Sequence, residues 1–214
     1  MVCLKPLIKN GKLIDVLLNK ITALGIVTFV TLFIYAASQY PGGSIVDVNS
    51  VGFDWMNNYW CNLTSLKAIN GQTNSARPVA ISAMILLCFS LTIFFIQFSK
   101  VYPESIYWKW IIKLGGILSM FFASLIFTAF HDSMILISSF FGFFVVIGVM
   151  KEIYKTNLIY YKISGAICLL FLLLNNYIYY SKQGILYLPF IQKISFVIVL
   201  LWVIGLNYEV GKKI

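Results

Sequence analysis

Six long stretches of the chain are almost unbroken in apolar side chains, and most polar residues collect between them. The stretches are Ile21–Tyr40, Val79–Phe98, Ile111–Phe130, Ser133–Met150, Ile163–Tyr180 and Leu188–Asn207. A helix needs about 20 apolar residues to cross a hydrocarbon core of roughly 30 Å, and each stretch meets that need alone or with its flanks. The pattern predicts an all-α integral membrane protein of six transmembrane helices, with residues 1–214 as a single membrane domain. The first stretch exceeds the about 7–15 apolar residues of a secretory signal core, and its cleavage signal near Ala36–Ser38 is weak. It therefore reads as a retained span. Before it, segment 4–20 sets Leu4, Leu7, Ile8, Leu13, Ile14, Leu17 and Leu18 at helical spacing beside Lys5, Lys9, Lys12 and Lys20. That pattern suits a short interfacial helix, although Gly11 weakens it.

The connections are short with one exception. Residues 41–77 form a long loop, His131–Asp132 a very tight turn, and Ser181–Tyr187 a short link. Pro41-Gly42-Gly43 and Asn70-Gly71 mark turns within the long loop. Phe53–Leu66 fits a short re-entrant or surface helix, with Asp54, Asn57 and Cys61 on one face. Trp55, Tyr59 and Trp60 suit the head-group layer, where one end of the ring is wet.

Composition supports the membrane reading. The chain is 60% hydrophobic, 17% aromatic and 11% charged, against about 25% charged residues in a soluble domain. A soluble globular domain, a disordered chain and a disulfide scaffold are thereby excluded. Net charge is +9, but the basic residues lie between apolar runs, so they mark topology and lipid contact rather than nucleic acid. Lys5, Lys9, Lys12, Lys20, Lys100, Lys109, Lys113, Lys151, Lys155, Lys162, Lys212 and Lys213 fall on one side of the six spans. Lys67, Arg77, Lys182 and Lys193 fall on the other. The asymmetry predicts that both termini are cytoplasmic (N-in and C-in) in a plasma membrane, with 41–77 as an ordered outer loop. Cys3 precedes the first span, Cys88 and Cys168 sit in apolar runs as packing residues, and Cys61 is the one cysteine of its loop, so no structural disulfide is expected. A single His leaves no ordinary zinc site, and neither a metal nor a cofactor is expected.

Chemistry concentrates at the expected outer end. Asp54, Trp55, Asn57, Asn58, Trp60 and Arg77 lie in or beside the long loop. His131 and Asp132 lie at the turn after the third span, and Asn175 and Asn176 in the outer half of the fifth. Polar residues at membrane depth cost free energy and call for partners. Together these residues could form an outward-facing polar pocket. Arg77 would bind a phosphate or carboxylate, Asp54 and Asp132 would act as partners, the asparagines would line the pocket, and Trp55 and Trp60 would flank an apolar tail. The expected ligand is a lipid head group, small amphiphile or solute, which the protein would bind and help to move or sense.

The stretch FDWMNNYWCNL, followed by NGQTNSARP, together with six spans and a long first loop, resembles the bacterial membrane family of unknown function designated DUF 998. That resemblance covers most of the chain and implies architecture rather than mechanism. A second resemblance, to exosortases and archaeosortases, rests on Cys61, Arg77 and His131. It implies a membrane cysteine transpeptidase or hydrolase in which a thiolate attacks an acyl carbon and Arg77 supports the oxyanion. In that family a membrane helix separates Cys from Arg, whereas here both lie in one loop. Asp54-Trp55 and Asn58-Tyr59 are similar to the early motif of alkaline ceramidases, a group that needs several histidines. The leading reading is a non-catalytic binder. The cysteine enzyme and a structural subunit of a membrane complex stand as alternatives.

Overall fold

The computed structural model describes residues 5–214, with side chains from residue 11 onward. Cys3 and Leu4, and the side chains of Lys5, Leu7, Ile8 and Lys9, lie outside the described residues. The helices are α1 (Lys5–Ser38), α2 (Arg77–Val101), α3 (Ile106–Ala123), α4 (His131–Tyr154), α5 (Ile159–Ser181) and α6 (Leu188–Gly211), with short 3-10 turns at Trp60–Thr64 and Ile185–Tyr187. Among the described residues six helices are long and apolar enough to cross a membrane. Among the described residues the only β pairing is two isolated bridges, Gly42 with Val51 and Lys67 with Thr73. Helices are the expected solution, because a lipid-exposed backbone must satisfy its own N–H and C=O groups.

Local sequence sets the ends. Pro78 and Pro189 lie in the first turns of α2 and α6, where a missing N–H leaves no helical bond unmade. After α5 the chain reverses through Lys182, whose φ of 61° is left-handed and whose N–H bonds Ile178 O at 3.0 Å, a C-terminal capping geometry.

Three expectations need correction. The segment before the first span is not a separate interfacial helix, since α1 runs through it without a break. The third span is displaced: α3 occupies Ile106–Ala123, and residues 124–130 form consecutive turns. The tight turn expected at His131–Asp132 therefore lies earlier, and these two residues begin α4. Hydropathy cannot see this, because the turn segment is nearly as apolar as the helix. Side chains end the helix instead. Ser124 Oγ bonds Phe121 O at 2.7 Å and Phe130 N bonds Thr128 Oγ1 at 3.4 Å, and such local bonds compete with the helical ladder. Thirdly, Phe53–Leu66 is not one helix. Asn57 and Asn58 N–H bond Asp54 O, closing a turn. Tyr59 is then extended (φ −73°, ψ 155°), and only Trp60–Thr64 coils.

Contacts group into two compact units. Of the described residues, unit 1 holds 5–27, 86–161 and 203–214, and unit 2 holds 28–85 and 162–202. In unit 1, small residues let helices meet closely. A Cβ on Gly116 would lie 2.6 Å from the Phe95 side chain, and one on Gly115 would lie 2.8 Å from Val145. Ser119 and Ser138 exchange bonds between α3 and α4, each hydroxyl donating to the other's carbonyl at 2.9 Å. Asn19 and Asn207 do the same for α1 and α6: Asn19 Nδ2 donates to Asn207 O at 2.7 Å and Asn207 Nδ2 to Asn19 O at 3.0 Å. Polar pairs of this kind tie helices together in an apolar medium.

In unit 2 the segment 39–76 is a folded module. Gly43 N–H bonds Ser50 O at 2.8 Å, and Asn70 N–H bonds Gly42 O at 3.3 Å. The chain passes so closely here that a Cβ on Gly43 would lie 2.4 Å from Asn70 N, and its φ is +84°. Only glycine takes that conformation cheaply. Asn74 is the second organiser. It is 4% exposed, and its Nδ2 donates to Asn62 O, Leu63 O and Ser65 O at 2.9–3.1 Å. Its Oδ1 accepts from Ala76 N at 3.1 Å.

Candidate functional site

The site residues in unit 2 gather around an aromatic cluster that the loop lays against α1 and α6. Trp60 meets Phe33 of α1 edge-on at 4.9 Å and Phe196 of α6 at 6.3 Å. Phe53 and Trp55 extend the cluster outward, at 5.2 Å from each other and 6.2 and 5.9 Å from Trp60. Trp55 keeps 45% of its surface exposed. Edge-to-face rings at these separations add stabilisation beyond the area they bury.

Into this cluster comes Lys193, which sequence reasoning used only as an orientation charge. It is 8% exposed. Its Nζ donates to Asn58 O, in a very close contact, and to Pro189 O at 3.0 Å. The ammonium also lies 5.5 Å from the Phe53 ring centre and 5.7 Å from that of Trp60, within reach for cation–π attraction. No carboxylate pairs with it among the described residues. A cation near a helix N-terminus opposes the helix dipole, so carbonyls and ring faces must hold it. The signal that could have flagged it was present: a charge inside the apolar stretch 188–207 is itself a functional hint.

The loop's polar residues build the frame around this ammonium. Asn58 is fully buried. Its Nδ2 donates to Gly43 O at 2.8 Å, and its Oδ1 accepts from Asp54 N at 2.8 Å. The Asp54 carboxylate accepts from Met56 N at 2.9 Å and Asn57 N at 3.1 Å, and from Asn57 Nδ2 at 2.8 Å. Burial pushes the Asp54 carboxyl up, but these donated bonds outweigh it and hold it below its ordinary value. Asp54, Asn57 and Asn58 thus meet Trp55 and Trp60 in one construction, with their hydrogen-bonding capacity turned inward. The Tyr40 phenol, pushed up by burial, accepts from Ile69 N at 3.0 Å and fastens the far side of the loop.

Arg77 differs from these residues. It opens α2, is half-buried, and donates through Nε to Thr64 O at 3.1 Å. It makes no ion pair among the described residues. One edge of the guanidinium is fixed on the loop, and the two Nη groups carry no hydrogen bond among the described residues. A planar cation oriented this way can take an oxyanion through two parallel bonds.

On α5, Asn175 Nδ2 reaches Phe171 O at 2.8 Å and Ser195 Oγ of α6 at 2.5 Å. Asn176 is exposed and bonds Leu172 O of its own helix at 2.8 Å, its one hydrogen bond among the described residues. Four buried polar atoms of this unit, Ser50 Oγ, Trp60 Nε1, Asn175 Oδ1 and Gln192 Oε1, have no partner among the described residues. Such atoms are rare in a finished interior and point to a water or ligand. Cys61 is half-buried in the 3-10 turn, and its carbonyl accepts from Thr64 Oγ1 at 2.9 Å. His131 and Asp132 belong to the other unit, where His131 Nδ1 lies 3.0 Å from Asp132 Oδ1.

Comparison with protein-family models, with curated protein sequences and with solved structures returns no match for this chain.

Proposed function

We propose that this multi-pass membrane protein is a non-catalytic binder, and that it takes the anionic head group of an amphiphile at the end of unit 2 formed by loop 39–76. The observation that carries the reading is the Arg77 guanidinium, held by Nε on Thr64 O with no carboxylate partner among the described residues. Its free edge would take a phosphate or carboxylate. The buried Lys193 ammonium adds positive potential, and exposed Trp55 offers an apolar face for the tail. Asn175 and Gln192 would supply acceptors through their unmatched oxygens. The orientation with both termini cytoplasmic, the bacterial plasma membrane and kinship with the DUF 998 family belong to the same proposal.

The test is binding of dihexanoyl phosphatidylglycerol, with dihexanoyl phosphatidylcholine as the neutral comparison, to purified protein followed by calorimetry. A hydrogen-bonded charge contributes about 1.5–3 kcal/mol. Arg77→Gln should therefore weaken the anionic ligand by roughly 10- to 100-fold, and the zwitterionic one, whose choline offsets its phosphate charge, by less. Equal affinity of the variant and the wild type for the anionic ligand defeats the proposal.

A further inference from the structure

The exposed side of α3 and α4 in unit 1 carries a feature that this reading does not use. An apolar groove of about 650 Å³ runs between the two helices, lined chiefly by Ile106, Trp110, Leu114, Leu118, Phe140 and Phe144. That volume falls among ordinary ligand sites, about 300–1,000 Å³. Gly115 forms part of its floor, where α3 packs against Val145 of α4. From Ile106 to Leu118 the groove follows α3 for roughly 18 Å at 1.5 Å per residue. One leaflet of hydrocarbon is about 15 Å deep, half of the roughly 30 Å core. The groove therefore matches the depth of a single leaflet.

Its two ends differ in charge. The residues that line the Leu118 and Phe140 end are apolar, and no charged residue adjoins them in the chain. At the Ile106 end, Lys109 is exposed, Lys113 Nζ lies over the Trp110 ring at 5.2 Å, and Lys151 Nζ lies over Trp108 at 4.4 Å. None of these three lysines pairs with a carboxylate among the described residues, whereas Glu152 is already held by Lys155 at 2.9 Å. Segments 104–113 and 151–155 carry four lysines against two glutamates. An apolar channel one leaflet deep, with uncompensated cations held over aromatic rings beside one end, has the form of a phospholipid site.

We propose that the groove seats one acyl chain of an anionic phospholipid, whose phosphate lies among Lys109, Lys113 and Lys151. A second copy of the chain is a poorer occupant. A two-fold axis along the membrane normal would bring the lysines of both copies to the same level.

The experiment uses the full protein in nanodiscs of phosphatidylcholine doped with brominated phosphatidylglycerol or brominated phosphatidylcholine. The readout is the quenching of Trp110, taken as the difference between the protein and its Trp110→Phe variant. Each lysine near a phosphate favours the anionic lipid by about fivefold. Half-quenching should therefore need at least about fivefold less brominated phosphatidylglycerol than phosphatidylcholine. Lys109→Gln with Lys113→Gln should bring the two lipids together. Leu114→Phe with Leu118→Phe fills the groove but keeps the lysines, and should abolish the preference as well. If the filled variant keeps the preference, surface charge alone gathers the lipid and the groove has no part in it. If the protein is a dimer that the filled variant dissociates, the groove is an interface between copies. Either outcome overturns the proposal. Arg77→Gln should leave this readout unchanged, so the two sites stand or fall separately.

Discussion

Consider Asn74→Ala. The Asn74 amide sits inside loop 39–76, with its two N–H groups shared among three carbonyls and its oxygen taken by Ala76 N–H. Truncation leaves at least three hydrogen bonds unmade in a place where water does not reach. At about 1 kcal/mol net for each bond, the loop loses roughly 3 kcal/mol. That raises its open population roughly 100-fold, at tenfold per 1.4 kcal/mol. Trypsin reads this population directly. Lys67 is the only Lys or Arg between Lys20 and Arg77, and Arg77 precedes Pro78, a bond trypsin does not cut. In the closed loop the Lys67–Ala68 bond sits in a tight reversal, with Ala68 N–H on Gln72 O at 2.9 Å and Lys67 bridged to Thr73. Cleavage there must wait for opening, and when reclosing is fast its rate follows the open fraction. In detergent, with the fragment after Lys67 quantified by mass spectrometry, Asn74→Ala should be cut roughly 100-fold faster than the wild type. Asn49→Ala, an exposed loop asparagine, should cut at the wild-type rate. If Asn74→Ala is cleaved within about twofold of wild type, the amide is not holding the loop and the energetic argument fails.

The same cleavage assay ranks two glycines. Gly43→Ala meets both a left-handed φ and the Asn70 backbone, and should lose about 1–3 kcal/mol or more. Gly71→Ala has a left-handed φ but open space around it, and should lose only about 1 kcal/mol. A reversed order would refute the close approach at Gly43. Asp54 makes the loop acid-sensitive. Its carboxyl is held below the ordinary value, so its contribution is present above the unfolded value of about 3.9 and is lost as pH falls through the lower folded one. Protection of the amides in residues 54–58 against exchange, taken relative to the intrinsic rate at each pH, should fall below about pH 4, and Asp54→Asn should remove that dependence. For α3 and α4, a double-mutant cycle of Ser119→Ala and Ser138→Ala should give a coupling of about 0.6 kcal/mol, and at most about 1.7. A cycle that closes at zero would mean that the reciprocal bonds carry no net stabilisation.

The helices were legible because a bilayer imposes length and apolarity together, and both can be read residue by residue. Their ends were less so. The segment 124–130 contains Leu125, Ile126 and Phe127 and looks like a continued span, while Ser124 and Thr128 decide otherwise through their hydroxyls. The loop's turn at Gly42–Gly43 was readable from glycine chemistry. Its interior was not, because Asn58 and Asn74 act through carbonyls that only the folded path brings near. Sequence distance hid Lys193 for the same reason. Nothing in the residues near Asn58 says that a cation from α6 will meet its carbonyl.

That last contact has a consequence for the making of the protein. Asn58 and Lys193 are 135 residues apart, and chains are synthesised at about 5–20 residues per second. The ribosome thus delivers the lysine about 7–27 s after the asparagine. Until then the loop has its own asparagine bonds but lacks the cation that closes the aromatic cluster. A nascent chain stalled before the sixth helix should present a protease-sensitive loop, and the newborn protein passes through that vulnerable interval every time it is made. Completion of the last helix is therefore the event that seals a structure begun near the first.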